Sequence, residues 1–246
     1  MTSQYDQGAA GTGAMQARAV RELAAAATTL TVEHDVVGVT TSLLAGCTRA
    51  VGAAAGGLVL ARPDDEKLEL LASTSHRAHE LELYQLQIDD GPCVEAVRTG
   101  QQVAATGVDE IGARWPKLLD AFEAAGFAAA RAYPLLWHDH ALGALNLFFS
   151  AGPDTDGIGE VGQAFADIAT VAIIHSGRLS AQDVVARIRA ALDERVVIER
   201  AKGVLVQTSN VTMEEAFDHL LKLSRTNGTP LGQIASQLID NAGTQD

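Results

Sequence analysis

The stretch with the most potential chemistry is ERVVIERAKGVLVQ, residues 194–207. At helical spacing, one face of this stretch carries three charged residues: Arg195, Glu199 and Lys202. Arg200 falls on another face, so two solvated stripes with i,i+4 ion pairs would account for the charges. Gly203 argues against that account, because glycine in a helix interior costs roughly 1 kcal/mol relative to alanine. The glycine indicates that another molecule or chain approaches the helix closely there.

Two other segments could carry chemistry. Cys93 stands in GPCVEA near a predicted helix N-terminus, where the helix dipole lowers the pKa of a thiol. No Lys or Arg adjoins it, so a small buried apolar role is the alternative to a redox or covalent sensor. His138, Asp139 and His140 could bind a metal, but histidines in a tight hairpin turn are more typical of an exposed loop, and a third ligand is missing. We assign no metal.

The motifs of common catalytic sites are absent from the sequence. It contains no P-loop, no GxSxG elbow and no dinucleotide fingerprint, and its acidic residues are scattered. We therefore expect a protein that is not an enzyme. An unrecognised pocket in the first half leaves a small-molecule enzyme as an alternative.

Composition narrows the function classes further. The 246 residues are 47% hydrophobic and 20% charged, which is typical of a globular protein. The formal net charge of −13 argues against indiscriminate binding of nucleic acid, which requires clustered Lys and Arg. Residues 179–246 hold seven Lys and Arg against nine Asp and Glu, so the acidity belongs mainly to residues 1–178. The last quarter of the chain is therefore close to neutral, which is compatible with a selective contact to nucleic acid.

The N-terminal residues lack a signal peptide, and the longest apolar run, residues 50–61, is too short to span a bilayer. Two cysteines are too few for a disulfide scaffold. These features predict a cytoplasmic protein with no membrane partner.

The apolar pattern of the first part predicts an α+β domain with one antiparallel sheet. Residues 1–14 are expected to form a disordered tail, and helices are expected at 15–27 and 35–53. Strands at 57–61 and 68–74 flank the turn RPDDEK, and a closing hairpin ends near Ser150. Between the two hairpins we expect short helices and one short strand. The domain is expected to span 15–150.

The rest of the chain predicts helices only. A long helical pattern runs from Ile158 to Gln207, with Ser176-Gly177 as the expected interruption; residues 151–184 would form a helical connector and 185–246 a three-helix domain. Thr212 and Glu215 form a capping box that opens the second helix of that domain. The apolar pattern of the long helix exceeds what one short domain can cover, so we expect a homodimer. The residues of that pattern are Val161, Phe165, Ile168, Val171, Ile188, Leu192 and Val196.

Residues 191–240 resemble the ANTAR domain, an RNA-binding module of bacterial antitermination regulators. The resemblance is carried by IERAKGVL, EEAF and LSRTNG, which occur in the family's order. It implies that dimers bind paired hairpins in nascent transcripts and favour an antiterminator over a terminator. The RNA-facing residues that it implies are Arg200, Lys202, Gly203, Arg225 and Asn227. Arg195, which shares the stripe of Lys202, completes the candidate set.

Residues 36–150 resemble a GAF domain, through DGPCVEAVRTGQQV, RWP and PLLWHDHALGALNLFF. The resemblance implies a small-molecule pocket between the sheet and the helices, although no cyclic-nucleotide signature is present. The candidate pocket residues are Cys93, Trp115, Tyr133 and Leu145, with Arg131 or Asp90 as polar contacts. Ordinary core packing is the alternative role for these residues. The sequence names neither a cofactor nor an effector.

Together these features predict a one-component regulator: a GAF-like sensor followed by an ANTAR-like domain that binds hairpin RNA and controls transcription termination. One alternative is a small-molecule or redox sensor whose helical tail serves dimerisation or protein interaction.

Overall fold

The computed structural model of the chain describes residues 2–29, 35–65, 67–153, 157–174 and 181–243. Its strands are β1 Ala55–Ala61, β2 Leu68–Ser73, β3 Val103–Thr106, β4 Ala129–Trp137 and β5 His140–Phe149. Its helices are α1 Thr2–Thr29, α2 Val36–Val51, α3 His76–Ile88, α4 Pro92–Thr99, α5 Val108–Arg114, α6 Leu119–Ala124, α7 Ile158–Ile174, α8 Ala181–Ser209, α9 Met213–Asn227 and α10 Leu231–Gly243. A 3-10 turn, Pro116–Leu118, precedes α6. We refer to residues 2–174 as the N-terminal part and to residues 181–243 as the C-terminal part.

The five strands form one antiparallel sheet in the order β2-β1-β5-β4-β3. The longest strand, β5, lies at the centre and follows β4 through a two-residue turn in which His138 has a φ of 51°. The predicted α+β class, the antiparallel sheet and the helical C-terminal part are confirmed.

Two apolar cores lie on opposite faces of this sheet, because successive residues of a strand point to opposite sides. The cap-side core fills the space between the sheet and the short helices α3 to α6; it includes Leu81, Cys93, Ile111, Phe122 and Phe148. The helix-side core lies between the sheet and α1, α2 and α7, and it continues into α8, α9 and α10; it includes Met15, Leu43, Phe165, Ile198, Leu220 and Ile234. The apolar core of the C-terminal part is therefore continuous with the core on one face of the sheet.

Local sequence signals fix the ends of the helices that place the C-terminal part. Thr212 accepts a hydrogen bond from the backbone N–H of Glu215, whose side chain accepts one from the N–H of Thr212, as the capping box predicts. Helix α9 ends at Gly228, which has the left-handed φ of 62° that favours glycine. The turn into α10 is closed by Ser224, whose hydroxyl donates to the carbonyl of Thr229 at 2.7 Å.

The structure differs from the sequence prediction at three places. Residues 2–14, expected to form a tail, belong to helix α1, whose buried Met15 and Ala19 anchor it; once a helix is anchored, extending it adds a hydrogen bond per residue. Helix α5 was not expected, since it has seven residues and only Ile111 is buried. Three of the seven residues in the apolar pattern expected to need a second chain, Phe165, Ile188 and Leu192, are buried within the chain, and Val161 and Ile168 are partly buried against the same core.

Val171 and Val196 are the members of that pattern that stay exposed, at 40% and 53%. The long helical pattern is divided between α7 and α8, and the expected interruption at Ser176-Gly177 lies outside the described residues.

Candidate nucleic-acid interface and candidate ligand pocket

Helix α8 carries most of the candidate RNA-binding residues and has three distinct faces. Its apolar face enters the helix-side core through Ile188, Leu192, Ile198, Ala201 and Leu205. This face packs against α9 and α10, which follow α8 in the chain. The remaining two faces carry the charged stripes seen in the sequence, and the structure places them in different environments.

The first polar face of α8 is open to solvent. Val196, Arg200 and Gly203, spaced at four and three residues, lie exposed along it. A Cβ added at Gly203 would meet nothing within 4 Å, so no packing contact within the described residues requires glycine there. This exposed face, defined by Val196, Arg200 and Gly203, is the one on which another molecule could approach the helix backbone.

The second polar face of α8 lies against the N-terminal part. Arg195, Glu199 and Lys202 border a crevice whose other walls include Thr41 of α2 and Ala72 of β2. The ammonium of Lys202 donates to both carboxylate oxygens of Glu199, at 2.9 and 3.0 Å, and its side chain is 12% exposed. It also lies 5.6 Å from the ring centroid of Phe217 in α9, within cation-π range. Lys202 is thus neutralised and largely covered.

His79 of α3 faces the same covered region. Burial lowers the pKa of His79, and the cations Lys202 and Arg195 lower it further, while Glu199 raises it. On the α3 side, a cleft of about 190 Å³ runs between Ser73, His79, Lys202, Met213 and Phe217.

Arg225 and Asn227 occupy the last turn of α9, at the opposite end of that helix from Phe217, and both are exposed. The six candidate RNA-binding residues therefore separate into two sets. Arg200, Gly203, Arg225 and Asn227 are open to solvent, whereas Arg195 and Lys202 line the contact with the N-terminal part.

The five candidate pocket residues do not come together around one cavity. Cys93 and Trp115 belong to the cap-side core, whereas Tyr133 and Leu145 pair across β4 and β5 in the helix-side core. Arg131 is half-buried. It lies two residues before Tyr133 in β4, so its side chain points to the same face of the sheet. The Tyr133 hydroxyl donates to the carbonyl of Ile158 at 3.2 Å, and a Cβ at Gly162 would overlap its ring. These residues pack a core in the arrangement that the structure describes.

Asp90 accepts a hydrogen bond from the N–H of Gly91, its own neighbour in the turn before α4. Among the described residues, Asp90 and Arg131 share no hydrogen bond and so do not form one polar site.

A buried acid that sequence reasoning missed lies at the centre of the cap side. The Glu82 carboxylate is fully buried and accepts hydrogen bonds from the amides of Asn146 at 2.7 Å and Gln85 at 3.1 Å. Burial raises the pKa of Glu82 to about 7, against the opposing effect of its hydrogen bond from Asn146. A Cβ at Gly57 would overlap this carboxylate, so the glycine in β1 makes room for it. Glycine within a strand is the signal that could have indicated the site.

Cys93 is part of the same cluster. Its N–H and its thiol both donate to the side-chain oxygen of Gln85, each at 3.4 Å. Burial raises the pKa of the Cys93 thiol well above its usual range, with the nearby Glu82 adding to the effect. The neutral thiol is therefore the stable form, which disfavours the reactive thiolate that a redox sensor requires.

The hairpin turn residues His138, Asp139 and His140 are all exposed. Within the residues that the structure describes, no group of three His, Cys, Asp or Glu side chains could hold a metal ion. In the same residues, no helix has the length and apolar content needed to cross a membrane.

Comparison with known proteins assigns the two parts to different folds. Residues 186–239 match the family model of the ANTAR domain. The N-terminal part resembles the GAF domain from Acinetobacter phosphoenolpyruvate-protein phosphotransferase, at 10% identity and a TM-score of 0.50, over 65% of this chain and 97% of that one. At that identity the likeness shows the fold alone. None of the curated proteins matches the sequence.

Two further solved structures are similar with lower scores. One is the nlh2 GAF domain of A. aeolicus in an inactive state, at 12% identity, covering 64% of this chain and 96% of that chain with a TM-score of 0.49. The other is the GAF domain of the cyanobacteriochrome TePixJ, at 17% identity, covering 58% and 92% with a TM-score of 0.45. The ANTAR match and the likeness to the Acinetobacter GAF domain together show a part with the GAF fold joined to an ANTAR domain.

Proposed function

We propose that the protein is a cytoplasmic regulator that binds hairpin RNA in nascent transcripts through its ANTAR domain and thereby controls transcription termination. The part with the GAF fold would modulate this binding in response to a small molecule. The protein would act as a homodimer, with one hairpin of a paired target bound by each copy. In this role the chain is a regulator and not an enzyme.

The observation that carries the proposal is the exposed face of α8. It presents a guanidinium, on Arg200, one turn from Gly203, a glycine that costs helix stability and that no neighbouring residue requires. Recognition of hairpin loops combines Arg contacts to phosphates and bases with small residues where the RNA backbone comes close. Because the ANTAR domain is not basic overall, affinity must come from a few well-placed cations.

The proposal is tested by two variants of this face and a matched control, in the full chain. Arg200→Ala removes a charged donor, and Gly203→Leu adds a side chain that fits the free protein but would collide with RNA. Lys117→Ala removes one exposed positive charge from the N-terminal part and serves as the control. Binding is measured by gel shift with a pool of RNA hairpins that share a fixed stem and carry a randomised loop.

We expect Arg200→Ala to weaken binding roughly tenfold or more, which corresponds to a charged hydrogen bond of about 1.5–3 kcal/mol. The slope of log affinity against log salt should fall by about one. Gly203→Leu should lose binding while its helical circular dichroism is retained, and the control should bind as wild type does. Undiminished RNA binding by Gly203→Leu would contradict the assignment of this face.

The second candidate function is a sensor whose helical tail binds protein, and exposed Val196 favours it because the same face presents an apolar side chain next to a small one. If Gly203→Leu changes the sedimentation coefficient and leaves RNA binding unchanged, the exposed face of α8 is a helix-packing surface.

A further inference from the structure

Two of the six candidate RNA-binding residues lie on the second polar face of α8, where both are partly buried at the contact with the N-terminal part. Arg195 and Lys202 are two turns apart and border the crevice formed with α2 and β2. Lys202 is bound by both oxygens of Glu199 and is 12% exposed, so its charge is compensated inside the protein. A phosphate would have to displace the Glu199 carboxylate to bind it.

Two polar contacts join the ANTAR domain to the N-terminal part. Asp35 accepts a hydrogen bond from the N–H of Val37, at the start of α2, at 3.0 Å. Its second oxygen accepts one from the N–H of Leu231, at the start of α10, at 3.1 Å. A single carboxylate therefore caps one helix in each part, and helix N-termini favour an anion in that place. The second contact is the ion pair of Arg189 in α8 with Asp64 of the β1–β2 turn, at 2.6 Å.

The contact also has an apolar part. Leu71 and Ala72 of β2 belong to the same core as Ile198 of α8, and Ala72 is 9% exposed. The contact therefore combines a continuous apolar core with two polar contacts.

We propose that this is a closed state, in which the N-terminal part occludes Arg195 and Lys202, and that separation of α8 from α2 and β2 releases them as a second set of RNA contacts. This regulation rests on the RNA-binding function proposed above. Arg200 and Gly203 stay exposed in the closed state, so it binds RNA weakly through one face. The open state binds through two. An effector that favours the open state raises RNA affinity only by its difference in affinity for the two states.

The test uses a wedge placed on the N-terminal side, so that no ANTAR residue is changed. Ala72→Arg puts a long cation against Arg195 and Lys202 in the crevice and should force it open. Gln101→Arg adds the same side chain at an exposed position and is the control. If Ala72→Arg fails to fold, Ser73→Arg replaces it, because Ser73 lines the same crevice and is only partly buried.

Two measurements are made on each protein. The first is acetylation of lysines by an amine-reactive reagent, read by mass spectrometry, with exposed Lys222 as the internal standard. The second is affinity for the pool of RNA hairpins. In wild type and control, Lys202 should be labelled far more slowly than Lys222. In the wedge variant its labelling should approach that of Lys222, and RNA affinity should rise roughly tenfold, as expected when a binding-competent state populated at about a tenth becomes dominant.

Each alternative outcome is decisive. Equal labelling of Lys202 and Lys222 in the wild type would overturn the closed state. Faster labelling in the wedge variant with unchanged, measurable RNA affinity would show that Arg195 and Lys202 do not contact RNA, and would leave the exposed-face assignment standing. If labelling responds to the wedge but no protein binds any RNA, the RNA-binding function itself is overturned, and this regulation with it.

Discussion

The two faces of the sheet differ in what lies beyond their apolar cores. The cap-side core ends at α3 to α6 and encloses a polar cluster of Glu82, Gln85 and Asn146. The helix-side core passes without a break from the sheet through α2 and α7 into α8, α9 and α10. A change in packing on the helix side therefore reaches the ANTAR domain by direct contact. A change on the cap side can reach it through the strands or through α3, whose His79 borders the cleft with Lys202 and Phe217.

Adjacent residues of β2 make this comparison testable. Leu70 is buried in the cap-side core, while Leu71, its neighbour, is buried in the helix-side core and lines the crevice with Arg195 and Lys202. Leu70→Ala and Leu71→Ala should each lower the free energy of unfolding by about 2–5 kcal/mol in denaturant titrations. Only Leu71→Ala should also speed the labelling of Lys202, because only that cavity opens beside α8.

This pair is its own control, since both variants lose the same side chain one position apart. Faster Lys202 labelling in both variants would mean that the two cores are not separate in the way described.

The second prediction concerns the cap side alone, where the buried Glu82 should make stability depend on pH. The pKa of Glu82 is about 7 in the fold against 4.5 when unperturbed, so between these values the folded protein holds a proton that the unfolded chain has lost. The free energy of unfolding should therefore fall by on the order of 3 kcal/mol from this group as pH rises from about 4.5 to 7, and then level off. Glu82→Gln, which cannot ionise, should flatten that fall in denaturant titrations at pH 5 and pH 8.

Some slope will remain in the variant, because burial and the neighbouring Asp35 carboxylate also raise the pKa of Glu194 to about 7. An unchanged slope in Glu82→Gln would show that Glu82 does not titrate in this window.

The smallest expected effect concerns the ion pair of Arg189 and Asp64. Both side chains are about half exposed, at 52% and 56%, and such pairs contribute about 0–1 kcal/mol. Arg189→Ala should shift the unfolding midpoint only slightly, and a double-mutant cycle with Asp64→Ala should give a coupling energy that shrinks in high salt. A large, salt-independent coupling would mean that the pair anchors the two parts more strongly than the apolar contact does.

The sequence predicted those elements that are decided locally. The hairpin of β1 and β2, the capping box of Thr212 and the three C-terminal helices follow from turn residues, helix caps and periodic apolar positions. Helix α5 escaped prediction because two turns with one buried residue leave almost no periodic pattern.

The candidate sites were predicted less completely, for a physical reason. Periodicity puts Arg195 and Lys202 on one face of a helix and Arg200 on another, but it does not say which face meets the rest of the chain. Likewise, the alternation of side chains along a strand puts Arg131 and Tyr133 on one side of β4. It does not say on which side of the sheet α4 and its Cys93 will pack, and the structure puts Cys93 on the opposite side from Tyr133. Tertiary packing decides both.

The hydrogen bond between Asp35 and the start of α10 bears on the order in which the parts of the chain fold. Asp35 caps α10 from a position 196 residues earlier in the chain. During synthesis α10 leaves the ribosome after α8 and α9, and its first N–H groups meet this carboxylate only once the start of α2 has been placed beside them. Contacts of such long sequence separation form late, because the loop between them must first be closed. The docking of the ANTAR domain is therefore expected late in folding, after a stage in which the N-terminal part is folded and α8, α9 and α10 are still unattached.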